Sequence, residues 1–271
     1  MSTSDNTSPQ LLSGLTSAVE SGDIDQVRST LQAWDNDVSA SERELRPAFR
    51  KALEGGDLSL IDEFLHRKVD TSGYETYAAM CKGSKVAKVG DIKLFELLES
   101  HGWDVNYDYG HFGDVLCFAV IQKNESLVKH LLDKGADPTR NTKASKTPLE
   151  WAAKYSTPEI LSLVAAEATK ERINSSRSLQ LAAADGAVDK IDILLNAGAD
   201  IDSIPDDLRI DHPDEECMTA LHAAVANNQA ACTSHLLAKG ARKDIKNQAG
   251  LTPMEVASSS GAGECTRLLD D

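Results

Sequence analysis

The amino-acid sequence predicts an all-α protein, a solenoid of about eight helix-turn-helix units joined by hairpin-like finger loops. The composition is the first observation, because 41% of the residues are hydrophobic while only 5% are aromatic. Such a chain suits closely packed helices better than a β-sandwich. The second observation is a motif that recurs about every 33 residues. The third is that the copies carry signals for the start and the end of short helices.

The repeat is clearest in three segments: Thr147-Pro-Leu-Glu-Trp-Ala-Ala, Thr219-Ala-Leu-His-Ala-Ala and Thr252-Pro-Met-Glu-Val-Ala. Thr219 and Thr252 are 33 residues apart, and Asp114 precedes Thr147 by the same interval. We predict a repeat domain over 11–271, with units that start near residues 13, 47, 81, 114, 147, 177, 219 and 252. The polar segment 1–10 is expected to be a disordered tail.

The first helix of a unit begins with recognisable capping residues. Thr147 and Thr252 occupy the N-cap position, a proline follows each of them, and Glu150 and Glu255 stand three residues after the cap. This pattern predicts a capping box with proline at the first helical position. A helix breaker is expected at the tenth position of a unit, where Gly or Asn can adopt the left-handed conformation. These breakers are Gly22, Gly56, Gly90, Gly186, Asn228 and Gly261, with Lys123 and Ser156 as exceptions.

A second helix follows the breaker, with apolar residues at helical spacing. Its leucine pairs Leu131-Leu132, Leu194-Leu195 and Leu236-Leu237 are expected to pack between successive units. A polar turn such as Gly135-Ala-Asp or Gly198-Ala-Asp closes the unit. Two short helices cannot bury an apolar face alone, so the units must stack.

These openings and the Gly-Ala-Asp turns resemble the ankyrin repeats over nearly the whole chain. The resemblance implies an L-shaped stack of helix pairs with projecting fingers. It also implies binding of another protein through the fingers and the concave side of the first helices, with no catalytic activity.

Charge and targeting signals narrow the class of protein. Lys and Arg number 28 against 43 Asp and Glu, which gives a net charge of −15. This charge argues against nucleic-acid binding and against an anionic membrane surface. The segment 1–10 lacks the features of a signal peptide, so we expect an intracellular protein in the cytoplasm or the nucleus, monomeric by itself.

A search for chemistry finds structural explanations first. His222 stands three residues after Thr219 and is interpreted as a hydrogen-bonding partner of that cap. Cys117, Cys232 and Cys265 are interpreted as core residues. The histidines His130 and His235 occupy equivalent places on second helices. We therefore expect no catalytic residue, no metal and no cofactor.

The finger between the third and fourth units contains an unusual number of aromatic residues. We predict partner contacts by Tyr107, Tyr109, His111 and Phe112, because aromatic side chains often anchor interfaces. Trp103, which takes the alanine position of the Gly-Ala-Asp turn, is expected to pack inside.

The first helices of the fourth and fifth units supply the second set of candidate contacts. In the family, the two residues before the breaker face the concave side, and two bulky residues precede them here. We call this set the first-helix strip; its members are Phe118, Ile121, Gln122, Trp151, Lys154 and Tyr155.

The acidic insertion at about 203–216 could steer a basic segment of the partner. Two alternative functions stay open at this point. The protein could be a regulatory or inhibitory subunit of an enzyme or transcription factor, or it could bind a metabolite in the concave groove.

Overall fold

The computed structural model describes residues 7–36, 42–73, 91–141, 146–205 and 217–270. The regular structure of these ranges is helical throughout, without a strand. The chain divides into two compact units, Met1–Tyr109 and Gly110–Asp271, which we call unit 1 and unit 2. Within the described ranges, no helix is long and apolar enough to cross a membrane.

The described residues of unit 1 form two complete helix pairs and a further helix. Its helices are α1 (Thr7–Ser21), α2 (Ile24–Asp35), α3 (Arg46–Gly55), α4 (Leu58–Leu65) and α5 (Ile92–Ser100). Helices α1 and α3 pack against each other, and so do α2, α4 and α5 in succession. The first helix of the unit predicted to start near residue 81 and its breaker Gly90 lie outside the described residues, and α5 follows that breaker.

In unit 2, the ranges 110–141, 146–205 and 217–270 form five helix pairs. The first helices are α6 (Val115–Ile121), α8 (Pro148–Tyr155), α11 (Ser178–Ala184), α13 (Ala220–Ala226) and α15 (Pro253–Ser260). The second helices are α7 (Glu125–Asp133), α9 (Pro158–Ala166), α12 (Val188–Asn196), α14 (Ala230–Ala238) and α16 (Gly263–Asp270). An additional short helix, α10 (Lys170–Ser175), lies between the second and third pairs.

The helices of unit 2 stack in two rows. Each first helix packs on the first helix of the next pair, and each second helix on the next second helix. The leading leucine of each predicted pair, at positions 131, 194 and 236, is fully buried between these rows. The following leucine is only partly buried. The predicted helical solenoid is therefore confirmed in its stacking.

The predicted capping boxes are present. The Thr147 hydroxyl accepts a hydrogen bond from the Glu150 amide, and the Glu150 carboxylate accepts one from the Thr147 amide at 3.0 Å. Thr252 and Glu255 form the same arrangement. Glu150 also accepts a bond of 2.9 Å from the amide of Arg177, the residue before α11, and so connects two successive pairs.

The breaker position is left-handed in more units than the sequence predicts. Gly56 and Gly261 have positive φ, as does Asn228 with φ of 53°. Lys123, one of the two exceptions, also adopts φ of 56°. Ser156 remains extended, because Thr157 immediately caps the next helix and Pro158 begins it.

Two features differ from the sequence prediction. Helix α1 begins at Thr7, so residues 7–10 are not a tail; Pro9 fits its first turn, where the missing amide removes no helical bond. In addition, α10 takes the place of a hairpin finger. Its buried Ile173 anchors it, and Asn174 accepts a hydrogen bond of 2.7 Å from the amide of Asp200 in the following turn.

Candidate protein-binding surface

The aromatic finger is partly internal. The Trp103 indole donates a hydrogen bond of 3.0 Å to the Tyr109 hydroxyl, and both side chains are buried. The Trp103 ring also lies 5.6 Å from the ring of Phe95 on α5. The expectation that Trp103 packs inside is confirmed. The burial of Tyr109, at 7% exposure, corrects the expectation that its ring is open to a partner.

Tyr107 is the aromatic finger residue of unit 1 that reaches the surface. Its side chain is 38% exposed, and its ring meets the buried Tyr109 ring edge to face at 4.7 Å. The buried ring therefore supports the exposed one and limits its motion. This arrangement presents a pre-ordered aromatic surface.

The remaining finger residues belong to unit 2. His111 lies on a single 3-10 turn, Gly110–Phe112, and is exposed. The side chain of Phe112 lies outside the described residues, so its predicted contact stays a prediction. Asp114 ends this segment by capping α6, where its carboxylate accepts a bond of 2.8 Å from the amide of Cys117.

The first-helix strip is formed by neighbouring helices of unit 2. Phe118, Ile121 and Gln122 lie on or directly after α6, and Trp151, Lys154 and Tyr155 lie on α8. Ile121 and Tyr155 are 40% and 44% exposed. Gln122 is also exposed, whereas the other three are partly buried. The register of the first helices, inferred from the sequence, thus places six residues on two adjoining helices.

A buried hydrogen bond fixes the two helix ends that carry the exposed residues. The Ser156 hydroxyl donates to the backbone carbonyl of Val120 at 3.0 Å. Ser156 directly follows Tyr155, and Val120 directly precedes Ile121. The Trp151 and Tyr155 rings lie 5.1 Å apart on one face of α8. The strip is consequently held by the backbone of both helices, as a recognition surface requires.

Two lysines, Lys154 of the strip and Lys146 beside it, give this surface a local positive charge, in contrast to the acidic chain as a whole. The Lys146 ammonium lies 6.0 Å from the centre of the Trp151 ring, and the Lys154 ammonium lies 5.2 Å from that of Tyr155. Burial lowers the pKa of Lys146, and the nearby charges of Arg177 and Lys154 lower it further. An anion next to Lys146 would relieve both effects.

The indole of Trp151 offers an unused hydrogen bond. Its Nε1 atom is buried, and no described residue accepts from it. A buried donor without an acceptor costs about 1–3 kcal/mol. Trp151 therefore favours any arrangement that brings an acceptor to this atom.

Other residues singled out by the sequence have structural roles. His222 is fully buried; its Nδ1 bonds the Thr219 hydroxyl at 2.8 Å and its Nε2 bonds the Leu251 carbonyl at 3.0 Å. Cys117, Cys232 and Cys265 are buried as predicted. Burial raises the pKa of the Cys232 thiol, which makes it a poor nucleophile.

Two groups of residues escaped the sequence interpretation. Lys146 stands just before the Thr147 cap, and only the three-dimensional arrangement brings it over Trp151. In unit 1, Asp62, His66 and His101 come together although the chain separates the two histidines by 35 residues. The signal in the sequence that could have indicated this cluster is an acidic residue and a histidine one turn apart on a second helix.

Comparison with known proteins gives two findings. The family described as "Ankyrin repeats (3 copies)" matches residues 116–205 and again residues 179–270. The chain is also 25% identical over 215 residues to the human "SH3 and multiple ankyrin repeat domains protein 2". This alignment includes 77% of the chain but 11% of that relative, so the chain corresponds to a small part of it.

Proposed function

This chain belongs to the ankyrin-repeat family, and from that premise we propose that it is a non-enzymatic protein-binding module. Repeats of this family generally serve protein–protein interaction. The partner binds on the first-helix strip of unit 2, and a scaffold or adaptor role follows. The observation that carries this proposal is the pair of exposed apolar side chains, Ile121 and Tyr155, at two joined helix ends.

Exposed apolar side chains are scarce in the part of the chain that the structure describes. The large ones are Tyr107, Ile121, Tyr155 and Leu251. Two of these four lie on the strip, and covering them stabilises a complex by about 25 cal/mol per Å² of apolar area. Tyr107 provides a further proposed contact, on unit 1.

The charge of the strip indicates the chemistry of the partner. Lys146 and Lys154 place two ammonium groups beside the aromatic rings, so the proposed partner segment contains a carboxylate next to an apolar residue. A basic segment would instead require the acidic insertion, of which residues 206–216 lie outside the described residues.

Selection of peptides from a random library tests this proposal. Peptides retained by the wild-type chain should combine acidic and apolar residues. Their binding should weaken at least about tenfold in Ile121→Ser/Tyr155→Ala, since two buried side chains contribute more than 1.4 kcal/mol. The control is Leu251→Ala, which removes an equally exposed apolar side chain outside the strip.

Two outcomes would contradict the proposal. If selected peptides bind the strip variant and the control equally, the strip is not the binding surface and Tyr107→Ala becomes the variant to test. If the peptides are basic, the acidic insertion is the binding site. Measuring the activity of a captured partner with and without this chain would then distinguish a passive adaptor from an inhibitory subunit.

A further inference from the structure

Unit 1 contains a three-residue cluster with the donor atoms of a metal site. The His101 Nε2 atom lies 2.8 Å from Asp62 Oδ1, and His66 Nδ1 lies 3.2 Å from the same oxygen. One donor atom from each residue can be chosen so that all three lie within 4.8 Å of one another. The two imidazole rings meet edge to face at 4.7 Å.

The helices of two successive pairs bring these residues together. Asp62 is on α4, and His66 is its C-cap residue one turn later. His101 is the C-cap residue of α5, which packs beside α4. Since helix ends are fixed by their hydrogen bonds, the donor atoms are placed by backbone structure rather than by long flexible side chains.

The equivalent place in unit 2 has a carboxylate whose partners both come from the next helix pair. Aligning the second helices on Ile61 and Ile191 places Asp62 opposite Asp192, and His66 opposite Asn196. Asp192 binds the Lys239 ammonium at 2.9 Å, and Lys239 precedes Gly240 as His101 precedes Gly102. The His235 imidazole on α14 also lies 2.9 Å from Asp192. Both partners of Asp192 therefore come from the next helix pair, whereas Asp62 has one imidazole from the next pair and a second, that of His66, at the end of its own helix.

We propose that Asp62, His66 and His101 bind a divalent transition-metal ion of the zinc type, with a fourth position left for water. Two imidazole nitrogens and a carboxylate oxygen are a preferred ligand set for Zn²⁺. Tetrahedral ligands at about 2.0–2.1 Å from the ion are separated by roughly 3.3 Å. The two separations from Asp62, 2.8 and 3.2 Å, need to expand by a few tenths of an ångström. The third separation, between the two imidazole nitrogens, is within 4.8 Å and closes when both nitrogens bind the same ion.

His66 must change its hydrogen bonding when the metal binds. In the structure its Nδ1 also lies 2.9 Å from the Asp62 carbonyl oxygen, so this nitrogen donates a proton there. Metal binding moves that proton to Nε2 and directs the Nδ1 lone pair to the ion. The side chain is 66% exposed, so the ring can turn without disturbing the core. The bound ion then links α4 to α5 and stabilises unit 1.

Zinc titration of the full-length, untagged chain tests this site. We expect one ion per chain by calorimetry, and a Co²⁺-substituted form with the visible absorption of a low-coordinate site. His66→Ala and His101→Ala should each weaken binding by at least about tenfold, because even loss of an outer-shell group costs that much. His235→Ala, which removes an imidazole paired with Asp192, is the matched control and should bind as the wild type does.

Thermal unfolding provides a second readout. Zinc should raise the melting temperature of the wild type and of the control, and not that of the two variants. The proposal is overturned if no zinc binds at free zinc concentrations up to about a thousand times a micromolar Kd. Equal binding by both variants would also overturn it, and would place the ion elsewhere, for example at a cysteine. Because His66 is on the surface, its variant is expected to remain folded.

Discussion

Adjacent leucines on the second helices differ in how far they are buried. Leu194 on α12 is fully buried, whereas Leu195 is only partly covered. The pairs at 131–132 and 236–237 follow the same rule. The reason is the 100° turn between successive helical residues, which directs only one of the two side chains between the rows. Apolar character alone does not tell which member of a pair is in the core.

Truncating each leucine of one pair should therefore give unequal losses of stability. We expect Leu194→Ala to lower the free energy of unfolding by about 2–5 kcal/mol, since it opens a cavity. Leu195→Ala should cost less than half of that. Urea unfolding followed by circular dichroism measures both. Equal losses would mean that the register of α12 is wrong.

Single residues also show where prediction from sequence stops. The capping residues Thr147 and Glu150 could be predicted because their bonds are local, within one helical turn. The burial of Tyr109 could not, because it depends on a hydrogen bond to Trp103 and on the place of that indole beside α5. The positions of Ile121 and Tyr155 on the strip followed from helix register, whereas the position of Lys146 over Trp151 did not.

At the scale of elements, carboxylates connect second helices of successive pairs. Asp192 on α12 accepts hydrogen bonds from the Lys239 ammonium and from His235 on α14, both at 2.9 Å. These bonds lower the pKa of Asp192, the lysine contributing first. A carboxyl with a lowered pKa in the folded state stabilises that state above its unfolded pKa.

The link through Asp192 should weaken in acid. At pH 7, Asp192→Asn is expected to be less stable than the wild type, by a small amount because the carboxylate is partly exposed. As the pH falls below about 4 and through the lowered pKa of the folded state, the wild-type carboxylate takes up its proton and the difference disappears. Urea unfolding of both proteins at pH 7 and pH 3 measures it. A difference that is as large at pH 3 as at pH 7 would show that charge is not its cause.

Helix α10 shows a limit of prediction at this scale. Its six residues, Lys170–Ser175, contain a single apolar side chain that is buried, Ile173. One apolar residue gives no helical period, so the segment reads as a polar finger. Thr169 is a residue type that favours an N-cap, but the helix that follows it has only six residues, too few to show a helical pattern of apolar residues.

At the scale of the molecule, unit 2 has its own continuous stack. Its ten paired helices, from α6 to α16 without α10, make their main contacts with their partner and with the adjacent pair. Stability in such an array is approximately a sum of pair and interface contributions. Unit 2 therefore contains the interactions that a separate domain needs.

We expect a fragment of residues 110–271 to fold by itself. It should keep a helical circular dichroism spectrum and unfold cooperatively in urea. A control fragment of residues 110–228 lacks α14 to α16 and leaves the apolar faces of α12 and α13 uncovered, so its unfolding midpoint should be clearly lower. A random-coil spectrum for residues 110–271 would contradict the expected independence of unit 2.

The two-row stack of unit 2 also determines how it would respond to tension. Pulling on residues 110 and 271 loads the pair interfaces in series, because each pair contacts mainly its neighbours. The end pairs are supported on one side only and would detach first. Each released stretch of about 33 residues adds roughly 110 Å of extended chain. Under load, unit 2 would lengthen in successive steps and shorten again as the pairs return, as an extensible spring does.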